Sequence, residues 1–180
     1  MELFDVLDEN GHTTGKTKDR HEIHRDGDWH KSIDIWIVNN KKELLLQKRA
    51  HEKESYPDLW EVSCSGHVDA GERSINAALR ELKEELGVNA EKEDLKFLFE
   101  SKESHITNNG KFINNEFKEV YMIELSWPID KFRLKKDEVS EVKFIYFEKL
   151  EEMLKSTPKE FVPHDGVYDK FFGIINKLLK

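Results

Sequence analysis

A single cysteine, Cys64, leaves the chain with no internal disulfide, so nothing in its composition calls for an oxidising compartment. Long apolar runs are absent too. Stretches such as 35–38 and 144–147 reach only four residues, far short of the roughly 20 needed for a membrane-spanning helix. The opening Met1-Glu2-Leu3-Phe4-Asp5 lacks the basic and then apolar sections of a secretory signal, so the expected compartment is the cytoplasm. Positive charge is in deficit: 29 Lys and Arg against 37 Asp and Glu give a net charge of −8. That balance disfavours a general binder of duplex DNA or anionic membranes and suits a site that works with a cation. The 4 Pro are scattered, and no repeat or low-complexity tract marks an interdomain linker.

What is present suffices for a core. A chain of 180 residues can bury roughly 70% of its unfolded surface. Its 4 Trp, 4 Tyr and 11 Phe offset a charged content of 37% that could otherwise signal disorder. One domain over residues 1–180 is expected. An N-terminal hairpin (1–17) pairs segments 3–7 and 13–17 around Asn10-Gly11, and a polar connection rich in His and Asp follows. Alternation at Ile33, Ile35 and Ile37, a turn at 39–42 and a strand at 43–48 make a second hairpin. Segment 60–63 reads as extended, and 74–86 has helical spacing ended by Gly87. Strands are expected at 95–103, 117–125 and 142–147, a short helix at 148–155 and a closing helix at about 168–179. The class is mixed α/β (α+β).

The segment 66–88, GHVDAGERSINAALRELKEELGV, concentrates the chemistry. At about 100° per residue, with Glu81 as zero, Glu85 falls near +40° and Glu84 near −60°, while Ile75, Leu79, Leu82 and Leu86 fall between roughly 100° and 160°. Three carboxylates on one side of a helix repel one another, and either Arg80 or a hard divalent cation must compensate. A solvated acidic helix face is the alternative reading of E-x-x-E-E by itself.

With Gly66 and Gly71 permitting a tight loop and Glu72 just ahead of the helix, the whole segment resembles the Nudix box, G-x5-E-x7-R-E-U-x-E-E-x-G-U with U aliphatic. It matches at Gly66, Glu72, Arg80, Glu81, Leu82, Glu84, Glu85, Gly87 and Val88. The resemblance implies a Nudix fold, a mixed β-sheet sandwiched between α-helices, and hydrolysis of a nucleoside diphosphate linked to another group. It implies Mg2+ or Mn2+ on Glu81, Glu84 and Glu85, with the Gly66 carbonyl and Glu72 supporting the site and Arg80 orienting a glutamate. Glu81, or a carboxylate outside the box, would take the proton of a metal-activated water.

Beyond the box, Asp5 to Glu9, Trp29-His30, Leu44 to Arg49, Pro57, Trp60 and Ser65-Gly66-His67-Val68 are similar to one Nudix subgroup, the isopentenyl diphosphate isomerases and the hydrolases like them. In the isomerases a catalytic Cys directly precedes the Gly-His pair. Here Ser65 stands there, and Cys64, one residue earlier, points to the opposite face of a strand. Cys64 therefore reads as a small buried residue. The isomerase Glu-x-Glu pair has Asn114-Asn115-Glu116 as its nearest match, and the isomerase metal histidines could correspond to His24, His30 and His67, although exposed or hydrogen-bonded histidines would look the same. Glu116 is the expected further metal ligand or base, against an edge-strand surface glutamate, with Glu119 on the other side of the strand. Lys48, Arg49 and His67 are candidates for the substrate, and Trp36, Trp60 and Phe112 fit the core better than stacking on a base.

The expected activity is divalent-metal-dependent cleavage of a pyrophosphate linkage in a nucleoside diphosphate derivative, with Glu81, Glu84, Arg80 and Glu116 as the catalytic set. Two alternatives stand beside it, an isopentenyl diphosphate isomerase and a non-catalytic nucleotide-sensing module. The expected partner is a small-molecule diphosphate, not a nucleic-acid polymer or a membrane. The stripe Phe171, Phe172, Ile175, Leu178 and Leu179 either packs on the domain or joins a homodimer.

Overall fold

The computed structural model of the chain describes residues 2–164 and 166–178; Met1, and Leu179 at the end of the expected closing helix, lie outside them. In chain order the elements are β1 (Leu3–Leu7), β2 (Thr13–Asp19), α1 (Arg20–Asp26), β3 (Trp29–Val38), β4 (Glu43–Arg49), β5 (Trp60–Glu61), β6 (Cys64–His67), α2 (Ser74–Leu86), β7 (Leu95–Thr107), β8 (Phe112–Glu124), β9 (Val139–Tyr146), α3 (Phe147–Ser156) and α4 (Val167–Leu178). Among the described residues, no helix is long and apolar enough to cross a membrane.

The long strand β3 is the centre of the sheet. It runs parallel to β8 from Trp29↔Asn115 to Val38↔Glu124, and along its other edge it pairs antiparallel with β1 and β6. Strands β2 and β7 extend the two sides, while β4, flanked by β5 and β9, branches away after the single β3 contact Val38↔Leu44. Ser63 ties the branch point: its hydroxyl donates to the Leu45 carbonyl (2.6 Å) and accepts from the Ile37 N–H (2.7 Å). A side chain there replaces the ladder bonds that splaying strands give up.

Alternation along β3 builds a core on each face. Ile33, Ile35 and Ile37 pack with Ala77, Ala78, Leu82 and Leu86 of α2. Trp36 and Val38 pack on the other face with α3 and α4, where the Trp36 and Phe171 rings stack at 4.0 Å. The sheet between helices is thus as expected. Phe171, Phe172 and Ile175 are spent on the chain's own core, and Leu178 is exposed. The helix at 74–86 and its stop are also where the spacing puts them: Gly87 is left-handed at φ 70°, and its added Cβ would meet Arg133.

Two expectations need correction. The polar connection after the first hairpin contains α1, capped by the Asp19 side chain on the Glu22 N–H (2.8 Å) and ended by left-handed Gly27. Only Ile23 and His24 of α1 are buried, so no apolar period betrays it. The β7–β8 hairpin is also longer than its apolar residues indicate, pairing as far as Thr107↔Phe112. The additional residues are mostly polar because they face a cleft instead of a core.

Candidate active site

The box folds as a loop and helix held by one arginine. Arg80 of α2 donates to Glu81 (2.7 Å), to Glu72 (3.1 Å) and to the His67 carbonyl (3.0 Å), so it fixes the loop and orients the glutamate next to it. At Gly66 the backbone approaches so closely that a Cβ would run into the Glu81 carboxylate. Burial raises the pKa of Glu81 despite Arg80. Glu85 lies deeper, 5% exposed, and burial, followed by the charges of Glu81 and Glu61, pushes its carboxyl up to about 8. Its Oε2 is buried with no hydrogen-bond partner among the described residues. Glu84 is half exposed at the cleft mouth. Crowded carboxylates, an unpartnered oxygen and a nearby glycine carbonyl form a hard-oxygen donor set that fits Mg2+ or Mn2+.

A second cluster faces the same cleft. Helix α1 brings His24, β3 brings His30 and β6 brings His67, with one ring nitrogen of each within 4.8 Å of the others. Burial holds all three below the usual histidine pKa, His24 at about 4, so each is a neutral imidazole. His24 Nδ1 donates to the Arg20 carbonyl (2.7 Å) and His30 Nδ1 to the Asp28 carbonyl (3.1 Å). These bonds leave a lone pair on each Nε2; that of His30 has no hydrogen-bond partner among the described residues, and that of His24 lies 3.0 Å from the Asn114 side-chain amide. Arg20 Nη1 donates to His67 Nδ1 (3.1 Å), which puts the ring proton of His67 on Nε2, 3.5 Å from Glu116 Oε1. Phe112 stacks on His24 at 4.2 Å and Phe4 on His67 at 4.8 Å. Imidazoles beside a carboxylate suit a borderline ion such as Zn2+, but His67 could join them as a ligand only by giving up the Arg20 bond or its Nε2 proton.

Glu116 connects this cluster to a buried network. Its Oε2 lies 3.5 Å from Lys118 Nζ, which also meets Glu103 (2.9 Å) and Asp34 (3.4 Å). His164, in the segment before α4, closes the group 3.4 Å from Glu103. Burial works against the charge on Lys118, but Asp34, Glu116 and Glu103 together keep it protonated. Burial likewise opposes ionisation of Glu116, but the Lys118 ammonium holds its pKa below the usual range.

The structure brings most of the expected residues together. Gly66, His67, Arg80, Glu81, Glu84, Glu85, Arg49 and Glu116 line one cleft, with Glu72 behind Arg80. Arg49 is engaged by Glu61 (2.8 Å) and the Ser55 carbonyl (3.0 Å). Lys48 is a correction: adjacent strand residues face opposite sides, and its amine lies over the Trp60 ring instead of in the cleft. Glu119 accepts from Ser74 Oγ (2.6 Å) on the α2 face. Cys64 is buried against Glu85 with its thiol pKa pushed well up by burial. Trp36 is core, and Phe112 lines the cleft. The sequence reading did not reach Arg20, Lys53, Glu103, Lys118 and His164. Only Lys118 had a local signal, its two-residue step from Glu116.

Comparison with known proteins gives the family and the fold. The family model described as NUDIX domain matches residues 28–165. Nudix hydrolase 3 of Arabidopsis thaliana is 44% identical over 98% of the chain, and the chain spans only 23% of that protein's length. An isopentenyl-diphosphate Delta-isomerase of Pectobacterium atrosepticum is 31% identical over 87% of the chain and 83% of its own length. In fold, the crystal structure of DR0079 from Deinococcus radiodurans matches with a TM-score of 0.70 at 18% identity, covering 99% of this chain and 100% of that one. With its box arginine and glutamates assembled on α2, and with hydrolases and isomerases of one superfamily among its relatives, the chain belongs to the Nudix family of hydrolases.

Proposed function

We propose that the chain is a divalent-metal-dependent hydrolase that cleaves a pyrophosphate linkage in a nucleoside diphosphate derivative, with Mg2+ or Mn2+ held by Glu81, Glu84, Glu85 and the Gly66 carbonyl. The observation that carries this reading is the buried, partnerless Oε2 of Glu85 beside Glu81, a pair whose mutual repulsion a cation relieves. A cation held there would supply charge neutralisation for the diphosphate and a lowered pKa for a water, so that hydroxide is available as the nucleophile near neutral pH. Arg80 keeps Glu81 in place, and Glu81 or Glu116 accepts the water's proton. Arg20, Arg49 and Lys53 line the cleft where phosphate oxygens would lie.

The test is release of phosphate and nucleotide from a panel of nucleoside diphosphate esters, nucleoside triphosphates, dinucleoside polyphosphates and isopentenyl diphosphate, with Mg2+ and then Mn2+. Glu84→Gln should lower turnover about a hundredfold or more with its melting temperature unchanged, since Glu84 is half exposed. Unchanged turnover in that variant overturns the metal assignment.

The gathering of His24, His30, His67 and Glu116 favours the isomerase as a second reading. Ser65 in the place of the expected thiol, and Cys64 sealed behind the sheet, weigh against it. An isomer of isopentenyl diphosphate formed without phosphate release, in a Cys64-dependent reaction, would favour it over hydrolysis.

A further inference from the structure

Ser101, Glu103, His105 and Thr107 alternate along β7 and so share one face of the strand. Each has a buried polar atom with no hydrogen-bond partner among the described residues: Ser101 Oγ, Glu103 Oε1, His105 Nε2 and Thr107 Oγ1. Glu103, His105 and Thr107 line the cleft that holds the box carboxylates, and His164, whose Nε2 is also buried and unpartnered, lines it as well. Glu103 is 3% exposed and held through Oε2 by Lys118 (2.9 Å), so its free oxygen is fixed in place. Buried polar atoms are normally satisfied, and a row of exceptions along one wall of a cleft calls for a ligand that satisfies them.

We infer that this face of β7, with His164, is the subsite for the group esterified to the diphosphate, and that it selects a hydroxylated, sugar-like group over a hydrocarbon one. The inference rests on the hydrolase reading above and adds the residues that choose the substrate. A carboxylate oxygen accepts from sugar hydroxyls, a threonine hydroxyl both donates and accepts, and an imidazole nitrogen donates or accepts according to where its proton sits. An isoprenyl chain offers none of these bonds. Of the aromatic side chains lining the cleft, Phe112 and Phe4 are already stacked on His24 and His67, and Tyr56 meets the His105 ring edge to face. A site built around hydroxyl contacts can reject an analogue lacking them by about 10^4-fold or more, because its own buried groups are left unpaired.

The test compares two probes, ADP-ribose, which carries a ribose on each side of its diphosphate, and isopentenyl diphosphate. Wild type, Thr107→Val and His105→Leu are each assayed for kcat/KM, and equilibrium binding of both probes is measured alongside. Wild type should prefer ADP-ribose, and each variant should lower the preference ratio about tenfold, one lost hydrogen bond's worth. A variant that merely folds poorly loses activity on both probes and leaves the ratio where it was, which overturns the assignment, as does a wild-type preference for isopentenyl diphosphate. Should wild type cleave neither probe, the hydrolase reading is decided on the wider panel above and the subsite on binding alone. Tighter binding of ADP-ribose that the variants weaken would still support the subsite, and binding without that preference would remove it.

Discussion

At the scale of single residues, Glu85 is a burden on the fold that metal binding relieves. Burial penalises its charge and pushes its carboxyl up to about 8 in the folded chain, against 4.5 for an ordinary glutamate. Below pH 4.5 both states hold the proton. Between 4.5 and 8 the unfolded state releases it first, so metal-free stability falls as pH rises, and above 8 the loss levels off. Glu85→Gln lacks this proton. Its melting temperature should therefore gain on that of metal-free wild type from pH 4.5 to 8, and a constant difference would show that the buried carboxyl is not responsible. Added Mg2+ should raise the melting temperature of wild type but not of the variant, because a ligand of the folded state alone stabilises it. Gly66 makes the complementary point: Gly66→Ala should displace Glu81 and abolish metal-dependent turnover even in molecules that remain folded. The residue types and spacing of this constellation were legible in the sequence, because all of it lies within one loop and one helix.

At the scale of elements, α1 and the β7–β8 hairpin extend the site beyond the box. Helix α1 is seven residues long and has little propensity or apolar face to sustain it, so its caps matter. Asp19→Ala should cost about 1 kcal/mol, read as a lower melting temperature, and should loosen His24 and Arg20 together. Zn2+ titrated by calorimetry into wild type and variant tests the link: binding at the histidines should weaken in the variant, and equal affinity would mean that α1 does not position the cluster. Neither α1 nor the far end of the hairpin was legible in the sequence. Both expose polar side chains to a cleft, and apolar periodicity reports only on segments that face a core.

At the scale of the whole molecule, one sheet keeps its core and its chemistry apart. The Trp36 and Phe171 stack lies between the sheet and α4, away from the cleft. Phe171→Ala should cost about 3–5 kcal/mol by the cavity it leaves, measured by denaturant unfolding, while turnover survives at temperatures where the variant is folded. Parallel loss of turnover in the folded variant would instead couple α4 to the site. The segment from Phe161 to α4 could supply such a coupling, because it carries His164 to Glu103 and Lys118. By itself the sequence determined the mixed class, the box, the bounds and stop of α2 and the charge suited to a cation, because each depends on spacing within a few turns of one chain segment. Only the tertiary structure decided that His24, His30, His67 and Glu116 converge, that Lys48 turns away while Arg49 enters, and that β7 lines the cleft with unpaired polar atoms. Those outcomes depend on which strands become neighbours, and that is settled by burial over the whole molecule and not by any local pattern.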